Sequence, residues 1–193
     1  REIKRSFRLL MNGVASQSMR QKGVDYKINW GVSLPDLQKM AQQYGKNHDL
    51  AVALWQENIR ECKILATLIM PPEEMDKALA EQWIEEINSQ DLAEMACFNL
   101  FQHLQHVADL SYKWMNSDRE IEQMCGYLIL SRLLMKGENP HGSRIDEFMD
   151  EVTIALNSEN MGVRHAALNC VNKFAELSED FRNMAENRLN LLL

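Results

Sequence analysis

Apolar residues recur along most of this chain at steps of three and four, the spacing of one buried helix face, and almost nowhere alternate with period two. Ile3, Phe7, Leu10, Met11 and Val14 form the first such stripe, with Arg and Lys between them, and predict a basic amphipathic helix. Gly13 and the polar run from Ser16 to Gln21 then predict a break. The segment Tyr26-Lys-Ile-Asn-Trp-Gly-Val-Ser-Leu-Pro reads as a loop that opens a helix, with Ser33 as N-cap and Pro35 in the first turn. Leu37, Met40, Ala41 and Tyr44 supply its buried stripe, and Gly45 stops it. Further helices are expected over residues 49–57, 59–70, 75–87, 91–105, 108–115, 118–136, 145–156 and 163–177, and from Phe181 onward. Pro71-Pro72 and the Gly-Glu-Asn-Pro-His-Gly run of residues 137–142 separate them. β-branched residues are scattered, so no sheet is expected.

These helices fall into pairs whose second members open alike: Asn58-Ile59-Arg60-Glu61, Asp91-Leu92-Ala93-Glu94, Glu120-Ile121-Glu122-Gln123 and Gly162-Val163-Arg164-His165. The anchors Ile59, Leu92, Ile121 and Val163 lie 33, 29 and 42 residues apart. Two helices per unit at such spacing is what stacked helical repeats require, because one hairpin cannot bury its apolar face alone. Val163-Arg164-x-Ala166-Ala167 also resembles the second helix of a HEAT repeat. The expected fold is therefore all-α, a right-handed α-solenoid of HEAT-like antiparallel helix pairs with second helices lining its concave face. It is read as a single domain over residues 1–193, with residues 1–30 as a basic helical cap.

Composition narrows the function. In 193 residues, 46% hydrophobic and 25% charged content describes a soluble chain with a real core and no membrane span. The opening residue is Arg1, so the native start is expected to be missing or processed, and there is no secretory-type segment. Cys62, Cys97, Cys125 and Cys170 fall one to a repeat without a Cys-x-x-Cys pair, and are read as small buried residues in a reducing cytoplasm rather than a redox or zinc set. The net charge of −7 is uneven: seven Lys and Arg against two acids make residues 1–30 +5, leaving −12 on the remainder. An acidic body opposes general nucleic-acid binding, while the basic cap favours it.

Several motifs in order make the chain resemble the AlkD type of DNA alkylation repair protein, a family of HEAT-like solenoids. Gly31-Val-Ser-Leu-Pro-Asp-Leu37 is similar to the family's Gly-Val-x-x-Pro-x-Leu segment. The run from Trp55 through Glu61 and Lys63 to Leu68 is similar to its Leu-Trp…Glu-x-(Arg/Lys)-x-Leu-Ala helix, and Trp83, Ser89-x-Asp91 and Asn99-Leu-Phe101 to its central motif. The resemblance implies a glycosylase that releases bases made cationic by alkylation. Such an enzyme needs no proton donor for the leaving group, only a carboxylate and aromatic faces to stabilise an electron-poor sugar. In active members Trp and Asp stand four residues apart in the central motif, with an Arg and a second Trp on later helices. Here those slots fall on Gln90, Glu94, Gln123 (or Met124 if the alignment slips by one) and Asn169. Only Glu94 keeps the chemistry, so activity is expected to be lost or much reduced.

Glu94 is thus the candidate catalytic carboxylate, or else an ordinary solvated side chain. Arg60, Lys63, Arg164, His165 and Lys173 are candidate phosphate contacts on the second helices, and Arg5 and Arg8 on the cap. His103 and His106 lack companions at ligand spacing, and no metal or cofactor is expected. Most of the twelve methionines, Met70, Met75, Met95, Met115, Met124, Met135 and Met149 among them, sit on apolar stripes as core filler, and Trp30 and Trp114 are expected to pack between repeats. Three functions remain open: a non-catalytic DNA-binding relative, an active glycosylase using Glu94, and a protein-binding scaffold. The partners expected are double-stranded DNA or another protein, with no membrane, for a monomer.

Overall fold

A computed structural model describes residues 2–138, 140 and 142–192. Arg1, Leu193 and two residues of the 137–142 loop, Asn139 and His141, lie outside the described residues, and so do the parts of the cap charge and of that loop assigned to them. Among the described residues there are twelve α-helices and no strand: α1 (Glu2–Leu9), α2 (Gly13–Gln21), α3 (Leu34–Tyr44), α4 (His48–Trp55), α5 (Arg60–Ile69), α6 (Lys77–Glu85), α7 (Gln90–Asn99), α8 (Val107–Met115), α9 (Glu120–Met135), α10 (Ser143–Ala155), α11 (Met161–Ala175) and α12 (Glu179–Leu189). Side-chain oxygens of Asn12, Ser33, Asn47, Asp76, Ser89, Asn160 and Ser178 each accept a backbone N–H in the first turn of the helix that follows. Those donors would otherwise be unsatisfied, which is why the starts fall where they do.

The chain forms two compact units, one running through Gln105 and the other from His106. In the first, α5 packs against α3, α4 and α7. Nearly all of α5 is buried, including Ile64, Leu65, Ala66 and Ile69. Trp55 at the end of α4 stacks on Trp83 of α6 with ring centroids 4.1 Å apart and planes 2° from parallel. In the second, α9 packs against α8 and α11, while α10, α11 and α12 close the far side through Phe148, Phe174 and Phe181. The close approach of α8 and α9 depends on Gly126, where an added Cβ would stand 2.4 Å from the Met115 backbone nitrogen.

Two expectations about elements need correction. Residues 13–21 are not a break but helix α2: Asn12 Oδ1 accepts from the Ala15 N–H and starts it. The stripe Ile3–Val14 is therefore divided between two helices, and of its members only Phe7 is buried. The helix expected over residues 91–105 ends at Asn99. Leu100 leaves helical geometry, with φ −133° and ψ −62°, and a 3-10 turn over Phe101–His103 follows, Leu100 and Phe101 both being buried. Met135, 60% exposed, is not core filler, whereas Met40, Met70, Met75, Met115, Met124 and Met149 are. All four cysteines are buried, and none of them forms a disulfide.

Candidate functional site

Helix α7 is positioned from three sides. Ser89 caps it through the Leu92 N–H and lies 3.3 Å from the Tyr26 hydroxyl, and Asn99 at its other end donates to Thr67 of α5 at 2.9 Å. Between them Arg60 of α5 grips Asp91, Nε to Oδ2 at 2.8 Å and Nη2 to Oδ1 at 3.1 Å. A two-point guanidinium–carboxylate contact fixes orientation as well as distance. Leu92, Ala93, Ala96 and Cys97 then face the core, and Gln90, Glu94 and Phe98 project outward, one turn apart.

The loop before α3 is held by the neighbouring residue of α5. The fully buried carboxylate of Glu61 accepts N–H groups from Trp30 (3.2 Å), Gly31 (2.9 Å) and Val32 (3.3 Å). Gly31 has φ +70°, and a Cβ there would come within 2.3 Å of the Asn12 carbonyl oxygen, so the Gly-Val-Ser-Leu-Pro segment needs glycine at that point. This loop, bridged to α5 through Ile28 and Ile59, ties α2 to the body.

The structure separates the candidate residues sharply. Gln90 and Glu94 are brought together: the Gln90 amide donates to Glu94 Oε1 at 2.8 Å, and both are exposed. Gln123 on α9 is half-buried while Met124 is 3% exposed, so of the two alternatives Gln123 is the one solvent can reach. Asn169 is exposed on α11, the helix packed against α9. Among the phosphate candidates, Arg60 is interior, its guanidinium committed to Asp91 and to the Val32 carbonyl. Lys63 is interior as well: it donates to the Trp55 carbonyl at 2.8 Å, lies 4.4 Å from the Trp55 ring centroid and faces Glu86 at 3.7 Å. Burial pulls its ammonium pKa down, against the opposing pull of Glu86. Neither is placed to meet a phosphate, because each is held by partners inside the chain, and helix periodicity alone does not distinguish a charge that snorkels out from one paired inside.

The remaining candidates are at the surface. Arg164 donates to the Ser158 carbonyl, Lys173 pairs with Glu176 at 2.8 Å, and His165 is exposed. Arg5 and Arg8 are exposed on α1, whose Phe7 is buried 5.6 Å from the Trp30 ring and whose Lys4 pairs with Glu57 at 2.7 Å. What the sequence did not indicate is the apolar surface beside them: Leu9 and Val14 are 87% and 81% exposed, with Met11 at 62% and Leu10 at 39%. The signal available was Asn12, a helix-capping residue directly before Gly13.

Among the described residues no group of three or more His, Cys, Asp and Glu side chains could hold a metal ion, and no helix is long and apolar enough to cross a membrane. The family described as DNA alkylation repair enzyme matches residues 3–180, nearly the whole chain. The chain belongs to this family. A search of curated proteins found no match. Among solved structures it is similar to one described as "a new family of proteins related to the HEAT-like repeat DNA glycosylases with affinity for branched DNA structures". The likeness has a TM-score of 0.83 at 17% identity and covers 97% of this chain and 80% of the other. At that identity the likeness establishes the fold, a HEAT-like helical repeat, for this family member as well.

Proposed function

We propose that this member of the DNA alkylation repair family binds DNA and does not excise alkylated bases, acting as a monomer in the cytoplasm. The observation that carries the reading is the Gln90–Glu94 pair. Where the family resemblance places a Trp face and an Asp, the protein presents an exposed amide donating to an exposed carboxylate. An open carboxylate already accepting a hydrogen bond is a weaker electrostatic partner for a developing cation than one in a water-excluded pocket. Without the aromatic residues in the two Trp slots, faces that would each contribute about 1 kcal/mol toward a cationic base are missing.

DNA binding is supported by family membership, by the affinity for branched DNA ascribed to the structural neighbour, and by Arg5 and Arg8, both exposed on a segment whose net charge is +5. The test is equilibrium binding to a fluorescent duplex and to a four-way junction across a salt series. The expected result is a log–log decline of affinity with salt, at least about tenfold between 50 and 200 mM, as counterions return to the phosphates. Absence of binding to either DNA at low salt would overturn the reading in favour of a protein-binding scaffold.

A further inference from the structure

The elbow between α1 and α2 has the build of a DNA wedge. Four apolar side chains, Leu9, Leu10, Met11 and Val14, stand exposed within six residues of sequence, on the one strongly basic segment of an otherwise acidic chain. The elbow is also held in place. Phe7 is fully buried against Trp30, the Asn12 N–H donates to the Trp30 carbonyl at 2.9 Å, and the Ser16 hydroxyl donates to the Asn29 carbonyl at 2.7 Å. Gly31 admits the Asn12 carbonyl at a distance that any side chain would block. Such exposed apolar surface is costly in water, and holding it rigidly lowers the entropy lost when something covers it.

Beside the elbow lies a cleft of about 710 Å3. Its lining combines apolar Leu10, Met11 and Val14 with polar Asn12, Gln17 and Ser33. Its acid, Asp36, is occupied by the Ser33 hydroxyl at 2.7 Å and faced by Lys39 at 3.8 Å. An unpaired nucleobase has this combination, an apolar face and a hydrogen-bonding edge, and the phosphates on either side of it match Arg5 and Arg8 in charge. Apolar side chains of proteins that kink DNA enter between bases in the same way, at steps where stacking is already weak.

Resting on the DNA-binding reading above, we propose that the α1–α2 elbow docks at DNA branch points, with Leu9 and Val14 against bases left unstacked there and Arg5 and Arg8 on the adjoining phosphates. The test compares the wild type with Leu9→Gln/Val14→Gln, whose side chains are exposed enough to be replaced without touching the core. Affinities are measured for a four-way junction and a linear duplex of the same length, and 2-aminopurine at the branch point reports unstacking. The wild type should favour the junction by about tenfold or more and raise 2-aminopurine emission. In the double variant that preference should collapse toward parity and the emission change disappear. Arg5→Gln/Arg8→Gln should weaken both complexes and flatten the salt dependence by about two phosphate contacts.

An unchanged junction-to-duplex ratio in Leu9→Gln/Val14→Gln would overturn the proposal while leaving DNA binding intact. Failure of the wild type to bind either DNA would instead remove the reading on which it rests. Loss in the double variant of binding to phosphatidylglycerol vesicles, or of self-association in sedimentation, with the junction ratio unchanged, would assign the elbow to a membrane or to a second copy.

Discussion

Two acids three residues apart on α7 have opposite fates. Asp91 is held at two points by a guanidinium that is 8% exposed, and Glu94 faces solvent and accepts from the Gln90 amide. Removing Asp91 takes away the two-point partner of the Arg60 guanidinium and leaves it Glu61 Oε1 at 3.7 Å and the Val32 carbonyl, so Asp91→Ala should lower unfolding free energy by about 2 kcal/mol in urea titrations. Glu94→Gln should change it by less than about 0.5 kcal/mol, as surface substitutions generally do. Equal effects would contradict this division. Sequence reasoning had placed Arg60 and Lys63 among the phosphate contacts because charged residues on a helix ordinarily face water. Their partners, Asp91 31 residues away and the stacked Trp55 ring eight residues away, become neighbours only through packing. What depends on local backbone chemistry was legible: the Ser33 cap, the Gly45 stop with its φ of +68°, and the burial of the cysteines.

At the level of elements, the period of three to four disclosed nearly every helix from α3 to α12, with ends displaced by a few residues. The failures occurred where apolar spacing runs on past a helix end or a polar run hides a helix start. α7 stops at Asn99, where Leu100 turns out of helical geometry, and the Gln102 amide donates to the Phe98 carbonyl at the helix end. α2 was hidden because Gly13 and a polar run resemble a break when its N-cap, Asn12, is overlooked. The α8–α9 pair supplies a direct test of packing. Gly126→Ala would set a methyl against the Met115 nitrogen, and against the Ser111 carbonyl oxygen at 2.7 Å, both backbone atoms that cannot rotate away. It should cost about 2–3 kcal/mol by forcing the helices apart. A variant as stable as the wild type in thermal and urea unfolding would show that the pair is not closely packed.

For the molecule as a whole, the repeat spacing and the ordered motifs led to the HEAT-like fold and to the DNA alkylation repair family, and both are established for the chain. The motifs have structural roles in the fold: the Gly31 loop is hooked by Glu61, and Trp55 and Trp83 stack. The elbow was not legible, because a stripe of apolar residues reads as core until the chain is seen to bend between α1 and α2. Charge is divided along the chain in the same way, +5 on the residues 1–30 that carry the apolar tip and −12 on the remainder, which is the asymmetry on which the proposed docking rests. On the proposed reading, this family member holds DNA without cutting a base from it. The most direct measurement is release of base from a 7-methylguanine-containing duplex under single-turnover conditions, with protein in excess and binding verified in the same tube. A bound duplex, with release no faster than the spontaneous rate, is the expected result. Release well above that rate, abolished by Glu94→Gln, would contradict it and make Glu94 a catalytic carboxylate.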